Sequence, residues 1–395
     1  MHRPTMRPWR FVVWFGTISL LADFVYEGAR SITGPLLASL GASALVVGVV
    51  TGAGEAAALI LRLVSGPLAD RAGRFWGWTI AGYALTVVSV PVLGLTGVLW
   101  AACSLVIAER VGKAVRSPAK DTLLSYATAA TGRGRGFAVH QAMDQVGALI
   151  GPLTVAGVLA LTGGDYAPAL GVLALPGVAV LALLVRLRHH VPQPAVYEGA
   201  ATETQAAAGT ETGSGRLPAA FWRYAAFTAV TTSGFATYGV LSFHLVTHGM
   251  LATAWVPVLY AGAMAMDALA ALATGWAYDR IGPRVLAVLP LLAASVPVLA
   301  FGGSLAVAVI GSLVWGAAMG IQESTLQATV ADLVPPGRRA TAYGVFAGVI
   351  GAATLAGGAL VGGLYGYSVP VLVVVVVAIQ AAALVLLSGT RAHRG

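Results

Sequence analysis

The sequence predicts an all-α, polytopic membrane protein with twelve transmembrane helices in two pseudo-symmetric six-helix bundles. Three observations predict it. Of 395 residues, 58% are hydrophobic and only 10% are charged, with a mean hydropathy of +0.83. Soluble chains carry about 25% charged residues, so this much apolar surface needs lipid as its solvent. Apolar runs of spanning length recur from end to end. Finally, the chain repeats itself: Gly66 to Gly73 and Gly275 to Gly282 both read G-x-x-x-D-R-x-G, offset by 209 residues, and Gly112 and Gly136 return as Gly320 and Gly344, offset by 208.

A helix needs about 20 apolar residues to cross the hydrocarbon. That length places spans at 10–38, 42–65, 77–96, 98–119, 136–160 and 168–187, then at 220–247, 252–275, 285–302, 305–328, 340–364 and 368–388. The first run is interrupted by Asp23, Glu27 and Arg30, and no small-residue cleavage site follows a short apolar core, so it reads as a retained span rather than a signal peptide. Between the sixth and seventh spans, residues 189–219 change composition, with Pro192, Pro194, Glu203, Gly209 and Gly213, and read as a flexible polar linker. The organisation that follows is a first bundle over 1–188, a cytoplasmic linker over 189–219 and a second bundle over 220–395.

Charge sets the orientation. One set of connections holds Arg71 and Arg74, Lys120, Arg133 and Arg135, Arg188 and Arg216, Arg280 and Arg284, and Arg338 and Arg339, with Arg3, Arg7, Arg391 and Arg394 at the termini. The alternate connections, near 39–42, 97, 162–167, 248–251, 303 and 365–367, contain no Lys or Arg. The positive-inside rule then puts both termini in the cytoplasm of a cell (inner) membrane. The formal net charge of +8 is thereby a topology signal and not a nucleic-acid signal. Cys103 is the only cysteine, so no intrachain disulfide forms. No phosphate-binding loop, metal-ligand spacing or soluble catalytic domain is evident, which points away from an enzyme, a cofactor and a bound metal.

A charge near mid-bilayer is expensive unless it is paired or hydrated, so each one is a candidate site. Asp23, Glu27 and Arg30 share one face of span 1, and at about 1.5 Å per residue Asp23 falls near the midplane. Span 2 adds Glu55 and Arg62. Span 4 carries Glu109, Lys113, Arg116 and Lys120 along one stripe, with Arg110 beside it, and span 5 carries His140 and Asp144. The second half is poorer, with His244, Asp267, Gln322 and Glu323. Aromatics suited to stacking on a planar solute are Trp14, Tyr26, Phe235, Tyr238 and Trp315. The candidates for binding in a cavity are Tyr26, Arg30, Lys113, Arg116, Tyr238, His244, Asp267 and Glu323. Each charged group serves equally well as half of a structural ion pair.

Several stretches resemble one family. The run Gly66-Pro67-Leu68-Ala69-Asp70-Arg71-Ala72-Gly73-Arg74 resembles the signature loop of the major facilitator superfamily, and Asp279-Arg280 marks its weaker second copy. Gly147-Ala148-Leu149-Ile150-Gly151-Pro152 resembles that family's G-x-x-x-G-P antiporter motif, which also permits simple close packing. Residues 109–121 are similar to a motif of bacterial efflux-type members, with Glu109, Ala114 and Lys120 replacing its acid, second glycine and arginine. The resemblance implies a central cavity and alternating access, with a conformational switch in the loop holding Gly66, Asp70, Arg71, Gly73 and Arg74. It implies Asp23 and Glu27 as proton carriers and Arg110 as their switchable partner, with Glu55, Glu109 and Asp144 as further proton-coupling candidates. The function so implied is a monomeric, proton-coupled exporter of a drug-like compound or metabolite. A metal-ion or small-anion carrier, and a receptor or assembly factor without flux, are the alternatives.

Overall fold

The computed structural model describes residues 6–131, 133–197, 217–334 and 338–389. Among these residues no strand occurs. The first half runs through α1 (Pro8–Ser39), α2 (Ala44–Ile60), α3 (Arg62–Ala72), α4 (Phe75–Leu95), α5 (Leu99–Thr131), α6 (Arg133–Leu161), α7 (Tyr166–Gly171) and α8 (Ala174–His190). The second half runs through α9 (Ala219–Ser233), α10 (Tyr238–Thr247), α11 (Val256–Ile281), α12 (Val288–Ala300), α13 (Leu305–Leu333), α14 (Arg339–Tyr367) and α15 (Val369–Gly389). Most of the expected linker, 198–216, lies outside the described residues, as do Arg3, Arg216, Arg391 and Arg394.

Every expected span falls on a helix or a pair of helices. By length and composition, nine stretches among the described residues are apolar enough to cross a membrane. The other spans have identifiable causes. The stretch Thr253–Ala300 covers 48 residues, enough for the eighth and ninth spans together. The fourth span, α5, is too rich in charge to register as apolar, because it carries Glu109, Arg110, Lys113, Arg116 and Lys120. The seventh is broken between α9 and α10, so neither piece has spanning length. The molecule is thus a multi-pass, twelve-span membrane protein.

Several boundaries differ from the expected ones. The second span breaks at Leu61 and resumes as α3. The fourth ends at Thr131 rather than near 119. Residues beyond 119 offer no helix breaker, and Leu123, Leu124 and Ala127 bury themselves against α1, α4 and α8, so packing prolongs the helix. The seventh span opens at Gly234. Its freed Ala236 carbonyl accepts the indole N–H of Trp315 at 2.7 Å, and the Thr237 hydroxyl meets that of Thr51 at 2.9 Å. An interrupted helix survives at membrane depth only when neighbours satisfy its backbone in this way.

Each copy of the D-R-x-G loop ends its helix on a glycine of positive φ. Gly73 closes α3 with φ 61° and ψ 10°, its N–H directed at the carbonyls of Ala69 and Asp70. Gly282 closes α11 with φ 63° and ψ −152°. The first conformation is left-handed helical, which Asn tolerates; the second is open essentially to glycine alone. Gly73→Asn should therefore leave thermal stability in detergent nearly unchanged, whereas Gly282→Asn should lower it by about 1–3 kcal/mol, read by tryptophan fluorescence.

The described residues sort into two compact units. One draws on Met1–Arg30, Leu61–Thr96 and Ser104–Thr210, the other on Ser31–Ile60, Gly97–Cys103 and Glu211–Gly395. The first is centred on Phe11, Phe15, Trp76, Tyr83, Leu184 and Tyr197, and the Tyr197 hydroxyl donates to the Met6 carbonyl at 2.9 Å. In the second, α2 lies against α14 through glycines: a Cβ on Gly48 would meet Gly358 and Gly362, and one on Gly52 would meet Thr354 and Gly358. Glycine at a helix contact lets backbones approach this closely. Gly316 and Gly320 of α13 likewise rest on the main chain of Ala263 and Asp267 in α11.

A buried charge network as candidate functional site

The candidate site lies in the first unit, where α1, α4, α5 and α6 contribute polar side chains to one network. Glycines bring the helices together. Gly147 and Gly151 of α6 sit on the carbonyls of Leu20 and Phe24 in α1, where any side chain would collide. Gly82 of α4 faces Gly112 and Arg116 of α5 in the same manner. The G-x-x-x-G-P stretch thus acts here as a packing surface that presses α6 onto the acidic helix, with Pro152 buried beside it.

Asp23, half-buried on α1, is the centre. It lies within electrostatic reach of Asp144 on α6 and of Lys113, Arg116 and Lys120 on α5. Lys120 donates to His140 Nε2 at 3.2 Å and to Ser19 Oγ at 3.4 Å. Ser19 in turn lies 3.3 Å from the same ring nitrogen, and Asp144 Oδ2 approaches it at 3.6 Å. A lysine, a serine and an aspartate therefore converge on one ring nitrogen of His140. The second oxygen of Asp144 is buried without a hydrogen bond.

Aromatic rings carry three of the cations of α5. The Tyr26 ring carries Lys113 Nζ at 4.0 Å and the Arg110 guanidinium at 4.3 Å. Arg116 is buried, stacks on Tyr83 at 4.5 Å and donates to Thr86 Oγ1 at 3.0 Å. A cation over an aromatic face gains about 2 kcal/mol or more when desolvated, against an insertion cost of about 2.5–3.5 kcal/mol for a charge at mid-bilayer. The carboxylates of Asp23 and Asp144 stand within electrostatic reach of Lys113, Arg116 and Lys120 as counter-charges. Two further pairs are local: Glu27 with Arg30 at 3.6 Å, and Glu109 with Arg110 at 3.3 Å.

Of the sequence candidates, Asp23, Tyr26, Glu27, Arg30, Glu109, Arg110, Lys113, Arg116 and Asp144 fall on these facing helices of the first unit. Asp70, Arg71, Gly73 and Arg74 are exposed around the end of α3, with Gly66 half-buried against Pro118, and Asp279 and Arg280 are exposed at the end of α11. Arg280 stacks on Trp276 at 3.2 Å. Glu55, Tyr238, His244, Asp267 and Glu323 belong to the second unit. There Glu323 is exposed and Asp267 is buried. Tyr238 is held by its hydroxyl bond to the Val256 carbonyl at 2.8 Å and by the rings of Tyr260 and Trp315 at 4.6 and 5.3 Å, so it is core. Trp315 stacks on Phe235 at 6.2 Å.

The structure adds Ser19, Tyr83 and Thr86 to the site. Ser19 stands four residues before Asp23 and extends the same polar stripe. Thr86 stands four residues after Gly82 on the face turned to α5. Tyr83 left no distinguishing trace, because a tyrosine in an apolar span is ordinary.

Comparison with known proteins places the chain. An uncharacterized protein of Mycobacterium tuberculosis strain H37Rv is 64% identical over 392 residues, covering 99% of this chain and 95% of its own length. An uncharacterized MFS-type transporter of Methanocaldococcus jannaschii is 29% identical over 140 residues, covering 35% of each chain. Among solved structures, the nucleoside transporter NupG superposes with a TM-score of 0.76 at 12% identity, over 96% of this chain and all of that one. A peptide transporter, POT, superposes with a TM-score of 0.73 at 16% identity, over 96% and 93%. At such identities these likenesses establish the fold. The sequence matches the Major Facilitator Superfamily over residues 17–266 and 249–395, and the chain belongs to that family.

Proposed function

We propose that this protein is a secondary active transporter that exports a drug-like compound or metabolite in exchange for protons, by alternating access. The observation that carries this reading is the position of Asp23 near mid-span, within reach of Asp144 and of three cations on α5. An acid so placed can exchange a proton for a cation's attention as the surroundings change, which is the elementary step of coupling. Glu27 and Glu109, each beside an arginine, and Glu55 on α2 are secondary candidates for the same step. The working halves are the bundles 1–188 and 220–395, joined by the cytoplasmic segment 189–219, with both termini in the cytoplasm of the cell membrane and the chain acting as a monomer. The exposed D-R-x-G loops, with Gly66, Asp70, Arg71, Gly73 and Arg74 in the first copy and Asp279 and Arg280 in the second, serve as conformational switches.

The test is proton movement in proteoliposomes loaded with a pH-sensitive dye and challenged with a panel of nucleosides, short peptides and lipophilic cations. At least one class should drive proton flux that stops when the gradient is collapsed. Saturable transport indifferent to the pH gradient would sink the proton-coupled reading. A second reading, a small-anion carrier, is favoured by the Lys113, Arg116 and Lys120 stripe. It would appear in the same assay as anion uptake that follows membrane potential.

A further inference from the structure

The end of the seventh span, on the side where the connections lack Lys and Arg, gathers groups that coupling does not use. His244 and His248 stand four residues apart at the C-terminal end of α10. One helical turn puts both on a single face, with ring centres 4.4 Å apart. The Tyr365 hydroxyl, from the last turn of α14, meets both rings: it lies 2.8 Å from His244 Nδ1 and 3.4 Å from His248 Nδ1. Phe301 closes the flank at 5.3 Å from the His244 ring and 5.1 Å from Tyr365. His244 is buried, its Nε2 makes no well-formed hydrogen bond, and its ring interacts with the Gly302 main chain. His248 is exposed.

The Tyr365 hydroxyl hydrogen-bonds His244 Nδ1 at 2.8 Å and stands 3.4 Å from His248 Nδ1, which also faces the His244 carbonyl at 3.1 Å, so an ion entering here would replace these hydrogen bonds as it takes the two nitrogens and the oxygen. Bonds of about 2.0–2.1 Å to a tetrahedral centre put adjacent donors about 3.3 Å apart. Imidazole suits zinc and copper, whereas calcium and magnesium prefer oxygen. A ligating histidine also commonly directs its other ring nitrogen at a backbone carbonyl, and the Gly302 main chain is the group beside His244. We propose that His244, His248 and Tyr365 form a binding site for a divalent transition ion of the zinc or copper class. The ion would join α10 to α14 within the second unit, with the exposed side of His248 giving access from solvent. Its binding is separable from any transport activity.

The experiment is a calorimetric titration of the purified full-length protein, carrying no polyhistidine tag, with zinc chloride at neutral pH. Binding of about one ion per chain is expected, lost in His248→Ala, and weakened about tenfold or more in Tyr365→Phe, as removal of a supporting ligand does. Because His248 is exposed, His248→Ala should elute with the wild-type profile in gel filtration. Copper bound to the wild type should show hyperfine coupling to two nitrogens in its paramagnetic resonance spectrum, and to at most one in His248→Ala. Equal zinc affinity in the wild type and in a His244→Gln, His248→Gln double variant would overturn the proposal and assign the ion elsewhere, for example to His189 and His190 at the end of α8. No zinc binding by the wild type would overturn it outright.

Discussion

Asp23→Asn is expected to abolish gradient-driven transport while leaving the protein folded. The amide is nearly the size of the carboxylate, so the contact of α6 with α1 through Gly147 and Gly151 is undisturbed. What disappears is the charge that faces Lys113, Arg116 and Lys120. Without it the three cations keep Asp144 as their counter-charge on α6, and the acid that would load and release a proton at mid-span is gone. Flux under an imposed pH gradient should fall to the level measured without one, while exchange of labelled for unlabelled substrate across the membrane persists. Glu27→Gln should be milder, because Glu27 pairs with Arg30 one turn away on its own helix. If Asp23→Asn retained full gradient-driven flux, Asp23 would not be the coupling acid. Loss of labelled exchange as well would mark Asp23 as a residue of binding or folding rather than of coupling.

Gly358→Val should be the most damaging single change in the second unit. Its new Cβ would strike the Gly48 carbonyl oxygen and come within 3.2 Å of the Gly52 Cα. These are backbone atoms, which no rotamer change can move aside, so α14 and α2 must separate or tilt. Overpacking costs typically about 1–3 kcal/mol, and here it falls on a contact made by backbone approach over Gly48, Gly52, Gly358 and Gly362. The expected outcome is a lower unfolding temperature in detergent and loss of transport. Gly366→Ala, on the same helix with open space around its Cβ position, is the control and should be neutral. Equal thermal stability of Gly358→Val and wild type would show that the glycine contact contributes nothing to holding α2 on α14.

The two variants probe different layers of the molecule, and the layers differ in how far the sequence reveals them. Spans were legible because lipid imposes a length and a hydropathy on each helix separately, with no reference to its neighbours. The D-R-x-G repeat was legible for the same local reason, and both its glycines take positive φ at helix ends. The polar stripe of Asp23, Glu27 and Arg30, and the basic stripe of α5, followed from the helical period alone. Where charge or interruption weakened the apolar signal, in α5 and between α9 and α10, the boundaries slipped, since packing against α1, α4 and α8 and the indole of Trp315 decide them.

What the sequence by itself determined is therefore a twelve-span, all-α membrane protein of the major facilitator type, with its span-embedded charge concentrated in the first half. Only the tertiary structure decided which charges meet. Lys120 reaches Ser19 across 101 residues of chain, Tyr26 supports both Arg110 and Lys113, and Tyr365 joins His244 across 121 residues. It also decided that residues 31–60 pack with the second half, through glycines that a hydropathy profile does not distinguish from filler. The physical reason is one of range. Insertion into lipid is set residue by residue, whereas partner choice depends on the rotation and depth of helices far apart in sequence, which close backbone contacts and a few desolvated polar groups fix only once the chain is folded.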